Sequence, residues 1–233
     1  MLQIKTWFRD FSHLFFPFNC LGCDVALSEK EETLCFNCMH DLPLTHYWRY
    51  DDNTVAAMFY GKLPFDRACS FLYFTKGGRV QQMMHHLKYA SRPEVGELLG
   101  KLFGIELLDS NYQDIDLIIP VPIHPKRLKT RGYNQCDHIG MGISKSLHKP
   151  CCTESVVRTV ANESQTRKGR FDRWKNVSEL FKVLKPENLQ GKHILLVDDV
   201  VTTGSTLESC AKVLLKVQGV RISIATIASP NII

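Results

Sequence analysis

Apolar positions along this chain switch between two periods, and the switches mark its elements. At the start, Leu2, Ile4, Trp7, Phe8, Phe11, Leu14, Phe15 and Phe16 follow roughly helical spacing, with Pro17 as the stop. Residues 55–60 and 69–74 read as strands around a loop holding Gly61 and Pro64. Two helices follow, one over 80–89 with Val80, Met83, Met84 and Leu87 inward, the other over 94–108 with Val95, Leu98, Leu99, Leu102 and Phe103 on one face. From Asp116 strands and helices alternate. Strands are expected at 117–119, from Val156 to Arg158, over 179–184 as one arm of a hairpin, at 194–197 and at 222–227. Helices are expected over 133–147 and 207–217. This rhythm predicts an α/β fold: a parallel sheet with helices on both faces and ligands at the carboxyl ends of the strands.

At 233 residues the chain is long enough for one sizeable domain beside a small module. Leu42, Pro43 and the polar stretch up to Asn53 read as a linker, so the expected division is an aromatic lead helix with a small module over 1–45 and a main domain over 54–233. No apolar run approaches the ~18 residues of a membrane span. Lys5, Arg9 and Asp10 break the N-terminal run that a secretory leader would keep apolar, and the expected compartment is the cytoplasm. The net charge of +5 is unevenly spread. Between Val121 and Lys175 stand 12 Lys and Arg against four acids, which places +8 in that segment and −3 in the rest. Such asymmetry points to a polyanionic partner, pyrophosphate or nucleic acid.

The most informative stretch is 194–206, Ile-Leu-Leu-Val-Asp-Asp-Val-Val-Thr-Thr-Gly-Ser-Thr. An apolar strand ends in two carboxylates, a hydroxyl-rich loop follows, and then a helix begins. Backbone N–H groups and hydroxyls of Thr202, Thr203, Gly204, Ser205 and Thr206, with the positive helix end behind them, make a phosphate cradle. Asp198 and Asp199 suit the hydroxyls of an attached sugar, or a Mg²⁺ carried on it, because carboxylates accept from hydroxyls and bind hard cations. The stretch has neither the G-K-[ST] of a Walker loop nor a dinucleotide G-x-G-x-x-G. It resembles the fingerprint of the type I phosphoribosyltransferases, which bind phosphoribosyl pyrophosphate (PRPP).

Cys20-x-x-Cys23 and Cys35-x-x-Cys38 put four thiolates at the spacing of a tetrahedral Zn²⁺ site. Four protein thiolates leave no position for water, so the expected ion is structural. The other five cysteines, Cys69, Cys136, Cys151, Cys152 and Cys210, show no pairing pattern, in keeping with a reducing compartment.

Downstream of Pro120-Val121-Pro122, the residues Lys126, Arg127, Lys129 and Arg131 read as a basic loop placed for pyrophosphate, a leaving group that gains charge as its C1′–O bond breaks. Arg131, Asp198 and Asp199 are the candidate catalytic residues. A longer polar segment carries Lys168, Arg170 and Arg173. It reads either as a lid that keeps water from an oxocarbenium-like state or as a binding segment for single-stranded nucleic acid, with Phe171, Trp174 and Tyr133 available for stacking. Lys88, at the end of its helix, reads as a partner of the helix dipole.

Assembled, these residues resemble the ComF family of competence proteins, also known as ComFC- or GntX-like amidophosphoribosyltransferase homologues. The likeness covers nearly the whole chain: the aromatic lead and proline before the paired C-x-x-C, Leu87-Lys88-Tyr89, Ile119-Pro120-Val121-Pro122, Arg131-Gly132-Tyr133-Asn134-Gln135, the spaced Gln165, Arg173 and Asn176, and the loop at 196–206. One departure stands out. Where the family often has Arg-x-Arg-x-Thr before the Gln, this chain has Arg158-Thr159-Val160-Ala161-Asn162, so part of that basic charge is absent or shifted to Arg167 and Lys168. The resemblance implies a type I phosphoribosyltransferase fold behind a small zinc module held by four cysteines. It also implies handling of incoming single-stranded DNA in natural transformation, beside a helicase-like protein and recombination-loading factors. An active Mg²⁺-dependent transferase, moving 5-phosphoribose from PRPP to a nucleobase or other nitrogen, stays open beside it, as does a PRPP sensor.

Overall fold

A computed structural model describes residues 18–159 and 180–231. In chain order its elements are α1 (Phe36–His40), α2 (Thr54–Ala57), β1 (Arg67–Phe74), α3 (Arg79–Tyr89), α4 (Glu94–Leu108), β2 (Leu117–Pro120), α5 (Pro125–Arg131), α6 (Gln135–Leu147), β3 (Val156–Arg158), β4 (Phe181–Val183), β5 (His193–Val200), α7 (Ser205–Leu214) and β6 (Arg221–Pro230). Four parallel strands form the main sheet in the order β1-β6-β5-β2. β3 and β4 pair antiparallel as a separate hairpin, as expected.

A parallel sheet has to be covered on both faces, and successive residues of its central strands alternate between the two covers. On β5, Leu195 and Val197 enter a core built with α3, α4 and α6, while Ile194 and Leu196 enter a second core built with α2 and α7. The expected α/β architecture is therefore the one observed.

Helices α4 and α6 meet backbone to backbone. A Cβ on Gly100 would fall inside contact distance of the Ile139 carbonyl oxygen, and one on Gly142 would stand 2.7 Å from the amide nitrogen of Lys101. Gly142→Ala should force the helices apart and destabilise the fold by about 1–3 kcal/mol, the usual cost of overpacking. Urea unfolding would read this as a lower midpoint at unchanged slope, and a wild-type midpoint would show that the helices reseat without cost.

Several local expectations are corrected. Residues 55–60 are not a strand, because Asn53 Oδ1 accepts from the N–H groups of Val55 and Ala56, each at 3.0 Å, and starts α2 instead. Residues 126–131 are not a loop: Pro125 opens α5, His124 Nδ1 accepts from the N–H of Lys126 at 3.1 Å, and Gly132 follows as the C-cap. α6 begins at Gln135 rather than at Tyr133, since Asn134 is its N-cap. The stretch 42–53 is no free linker. Thr45 donates its N–H to Phe71 O at 3.0 Å, and buried Trp48 packs against Phe71 and Phe103. The aromatic lead, Lys168, Arg170 and Arg173 lie outside the described residues. Among the described residues, no helix is long and apolar enough to cross a membrane.

Candidate functional site

A cleft of about 570 Å³ opens at the carboxyl ends of β2 and β5, where a parallel sheet places its ligands. Five cations line it, Lys88, Arg158 and, from α5, Lys126, Arg127 and Arg131, against the two carboxylates Asp198 and Asp199. Lys129 is exposed on α5 and is not among the lining residues. Thr206 reaches the cleft, and Thr202, Thr203, Gly204 and Ser205 line an adjoining hollow of about 40 Å³ together with Asp198. Gly204 has φ +76°, and a Cβ there would stand 2.9 Å from the ring of Phe59, so both backbone and space require glycine.

The two acids differ. Asp199 is buried and both its oxygens accept hydrogen bonds: Oδ2 accepts from Lys88 Nζ at 3.0 Å and from Gln135 Nε2 at 2.8 Å, and Oδ1 accepts from the N–H of Val200 at 2.6 Å. Asp198 Oδ1 accepts from the N–H of Asp199 at 2.9 Å and from the Cys136 thiol at 3.2 Å. Its Oδ2 has no donor among the described residues. Burial, and then the charge of Asp199, push the Asp198 carboxyl up to about 7. Burial and the same two acids hold the Cys136 thiol well above its ordinary value, which keeps it a proton donor.

Helix ends aim these groups. The Tyr133 hydroxyl donates to the Leu87 carbonyl and holds the end of α3, from which Lys88 reaches Asp199. Lys88 stays in the last turn of its helix, where a partner of the helix dipole is expected, and it makes a direct ion pair with Asp199 besides. Asn134 starts α6 so that Gln135 and Cys136 face the acids, and the Arg131 guanidinium donates to Gln135 Oε1 while lying 5.8 Å from the Tyr89 ring centre. Gln135 and Cys136 were not expected site residues. The signal available for them was their place immediately after a capping Asn.

With one open carboxylate oxygen, the acidic pair does not form a protein cage for Mg²⁺. It suits a Mg²⁺ that arrives on a ligand's own oxygens. The cysteines do form a cage. The sulfur atoms of Cys20, Cys23, Cys35 and Cys38 lie within 4.8 Å of one another. Cys23 and Cys35 are 3.6 Å apart, near the ~3.8 Å that tetrahedral ligands ~2.3 Å from zinc would have. Burial pushes the Cys20 thiol up, but N–H donors from Cys35, Gly22 and Cys23 outweigh it, and the thiol settles at about 7. Burial and the neighbouring sulfurs drive Cys38 far the other way. Such opposed shifts are those of thiols crowded without a cation between them, and the donor set fits a tetrahedral metal ion.

Residues 143–232 match the family described as "Phosphoribosyl transferase domain", a stretch that includes both acids and the hydroxyl loop. The "DNA utilization protein YhgH" of Escherichia coli (strain K12) is 31% identical over 201 residues, 84% of this chain and 84% of that protein. "Competence protein F" of Haemophilus influenzae is 25% identical over 218 residues, 87% of this chain and 93% of that protein. "Competence protein ComFC" of Bacillus subtilis (strain 168) is 31% identical over 100 residues, 43% of this chain and 38% of that protein.

Proposed function

This chain belongs to the ComF family, and from that membership we propose that it handles single-stranded DNA in the cytoplasm during natural transformation, with a phosphoribosyl ligand or nucleotide held in the cleft. The observation that carries the reading is the lining of the cleft: five cations, one open carboxylate oxygen and a loop of hydroxyls side by side. A ligand that is polyanionic at one end and carries free hydroxyls, as PRPP does, matches all three. In this reading Thr202, Thr203, Gly204, Ser205 and Thr206 hold the 5′-phosphate and Asp198 accepts from a ribose hydroxyl. Lys126, Arg127 and Arg131 face the pyrophosphate, and Mg²⁺ comes with the ligand. Lys129, Lys168, Arg170 and Arg173 add charge for a nucleic-acid backbone. Zn²⁺ on Cys20, Cys23, Cys35 and Cys38 is structural. A helicase-like competence protein and recombination-loading factors are the proposed partners. Phosphoribosyl transfer to a nitrogen acceptor would use the same residues, with Arg131 neutralising the pyrophosphate as it leaves.

The test measures binding of a single-stranded oligonucleotide across a salt series, with and without PRPP. If the basic residues touch phosphates, log affinity falls with log salt at a slope of about −0.7 per contact. Replacing Lys126 and Arg127 together by Ala should flatten that slope by about 1.4 if both touch phosphates. DNA affinity indifferent to both salt and substitution would remove the DNA role of α5. Calorimetry that finds no PRPP binding would remove the phosphoribosyl part.

A further inference from the structure

Among the described residues, Tyr89 is the one aromatic side chain that lines the cleft, and it is 71% exposed. A bare ring on the wall of a cationic cleft is a surface on which a flat group can stack. Its place is fixed. Tyr89 is the last residue of α3, since Ala90 caps the helix and Ser91, at φ +53°, turns the chain away. The Tyr133 hydroxyl donates to the Leu87 carbonyl and holds that helix end. Two neighbours touch the ring: the Arg131 guanidinium, 5.8 Å from its centre, and the His85 ring, 5.1 Å away and one turn back. Arg131 is itself tied by the hydrogen bond it donates to Gln135 Oε1. A ring held in this way loses little freedom when a ligand settles on it.

The aromatic residues expected to stack are placed differently. Tyr133 does not line the cleft; its hydroxyl is engaged and its ring meets His138 edge-on at 5.3 Å. Phe171 and Trp174 lie outside the described residues. Tyr89 shares the cleft with Lys126 and Arg127. Cations for a phosphate backbone beside an aromatic face for a base are the pairing that single-stranded nucleic acid needs. We propose that Tyr89 is the platform on which one base of a single-stranded DNA stacks while Lys126 and Arg127 hold phosphates beside it. The inference rests on the DNA reading given above and adds to it a contact with a base. Every base has a π-face, so the ring gives affinity without sequence preference.

The test compares two strands of equal length and charge, bound to zinc-replete full-length protein at low salt. One is a thymidine oligonucleotide, the other its abasic counterpart, a deoxyribose phosphate backbone without bases. Wild-type protein should bind the thymidine strand more tightly. Tyr89→Ala should lose about fivefold to a hundredfold of affinity for that strand and change less than about threefold toward the abasic one. Tyr89→Phe keeps the ring and should stay within about threefold of wild type on both. Lost support for Arg131, or a disturbed fold, would weaken both strands alike and leave their ratio as in wild type. That result overturns the proposal, as does a wild-type protein that does not distinguish the strands. Displacement of the thymidine strand by an equal concentration of thymidine 5′-monophosphate would assign the ring to a free nucleotide and overturn it too. Failure of both strands to bind the wild type removes the DNA reading and takes this proposal with it.

Discussion

Cys38→Ser should yield a chain that carries no zinc and has lost its cooperative unfolding transition or has it lowered by well over ~10 °C. The size of the effect follows from where the cysteines sit. Cys20 and Cys38 are each 1% exposed and belong to the same core as Met83, Met84, Leu87, Phe71 and Phe103. A structural zinc contributes about 10–16 kcal/mol in isolated zinc-finger peptides, and even a fraction of that rivals the ~5–15 kcal/mol of net stability usual for a domain. Without the ion, the crowded thiols would reprotonate or part, and the core against α3 would open with them. Elemental analysis should give about one zinc per wild-type chain and none in the variant, whereas Cys210→Ser should keep its zinc. Full zinc content with wild-type melting in Cys38→Ser would remove the metal from this picture.

The second large effect separates the two acids. Asp198→Asn removes the charge on the one open carboxylate and should weaken PRPP binding by about tenfold to a hundredfold, the loss of one or two charge-assisted hydrogen bonds. Stability should move the other way. The fold raises the Asp198 carboxyl to about 7, so ionising it in the folded state is unfavourable, and the protein loses stability as pH climbs from the ordinary carboxylate value near ~4 to about 7. The Asn variant escapes that loss and should melt higher than wild type at pH above this window, with little difference well below it. Asp199→Asn should do the opposite to stability, because it leaves the Lys88 ammonium without its partner. Melting curves at two pH values and PRPP calorimetry decide it. Equal loss of stability in both variants would mean that the acids are simply two members of one buried pair.

What could be read from the chain beforehand divides along a physical line. The hydroxyl loop, both acids and the paired C-x-x-C were legible because each is contiguous, and the chemistry requires those residues side by side. The parallel sheet was legible because apolar runs and helical periods alternate. Residues joined only by the fold were not. Gln135 meets Asp199 across 64 positions, and Lys88 reaches it from another helix entirely. Local capping decided other cases. The Val55-Ala56-Ala57 stretch has the apolar look of a strand, and a single Asn53 side chain turns it into helix. α5 was unreadable as a helix because none of its seven residues is buried, so it carries no apolar period to see.

One helix joins the two chemistries of the molecule. α3 touches the cysteine core through Val80, Met83 and Met84 and the cleft through Lys88 and Tyr89. Each residue of an α-helix advances about 1.5 Å and turns about 100°. Inserting or deleting one residue between Met84 and Lys88 would therefore swing the ammonium more than a quarter turn around the axis and slide it along. Met84 would keep its seat and Lys88 would lose Asp199. The helix is thus a ruler as well as a wall: its count of residues is constrained more tightly than their identities. Substitutions along its exposed side leave the spacing intact, but no change of length does.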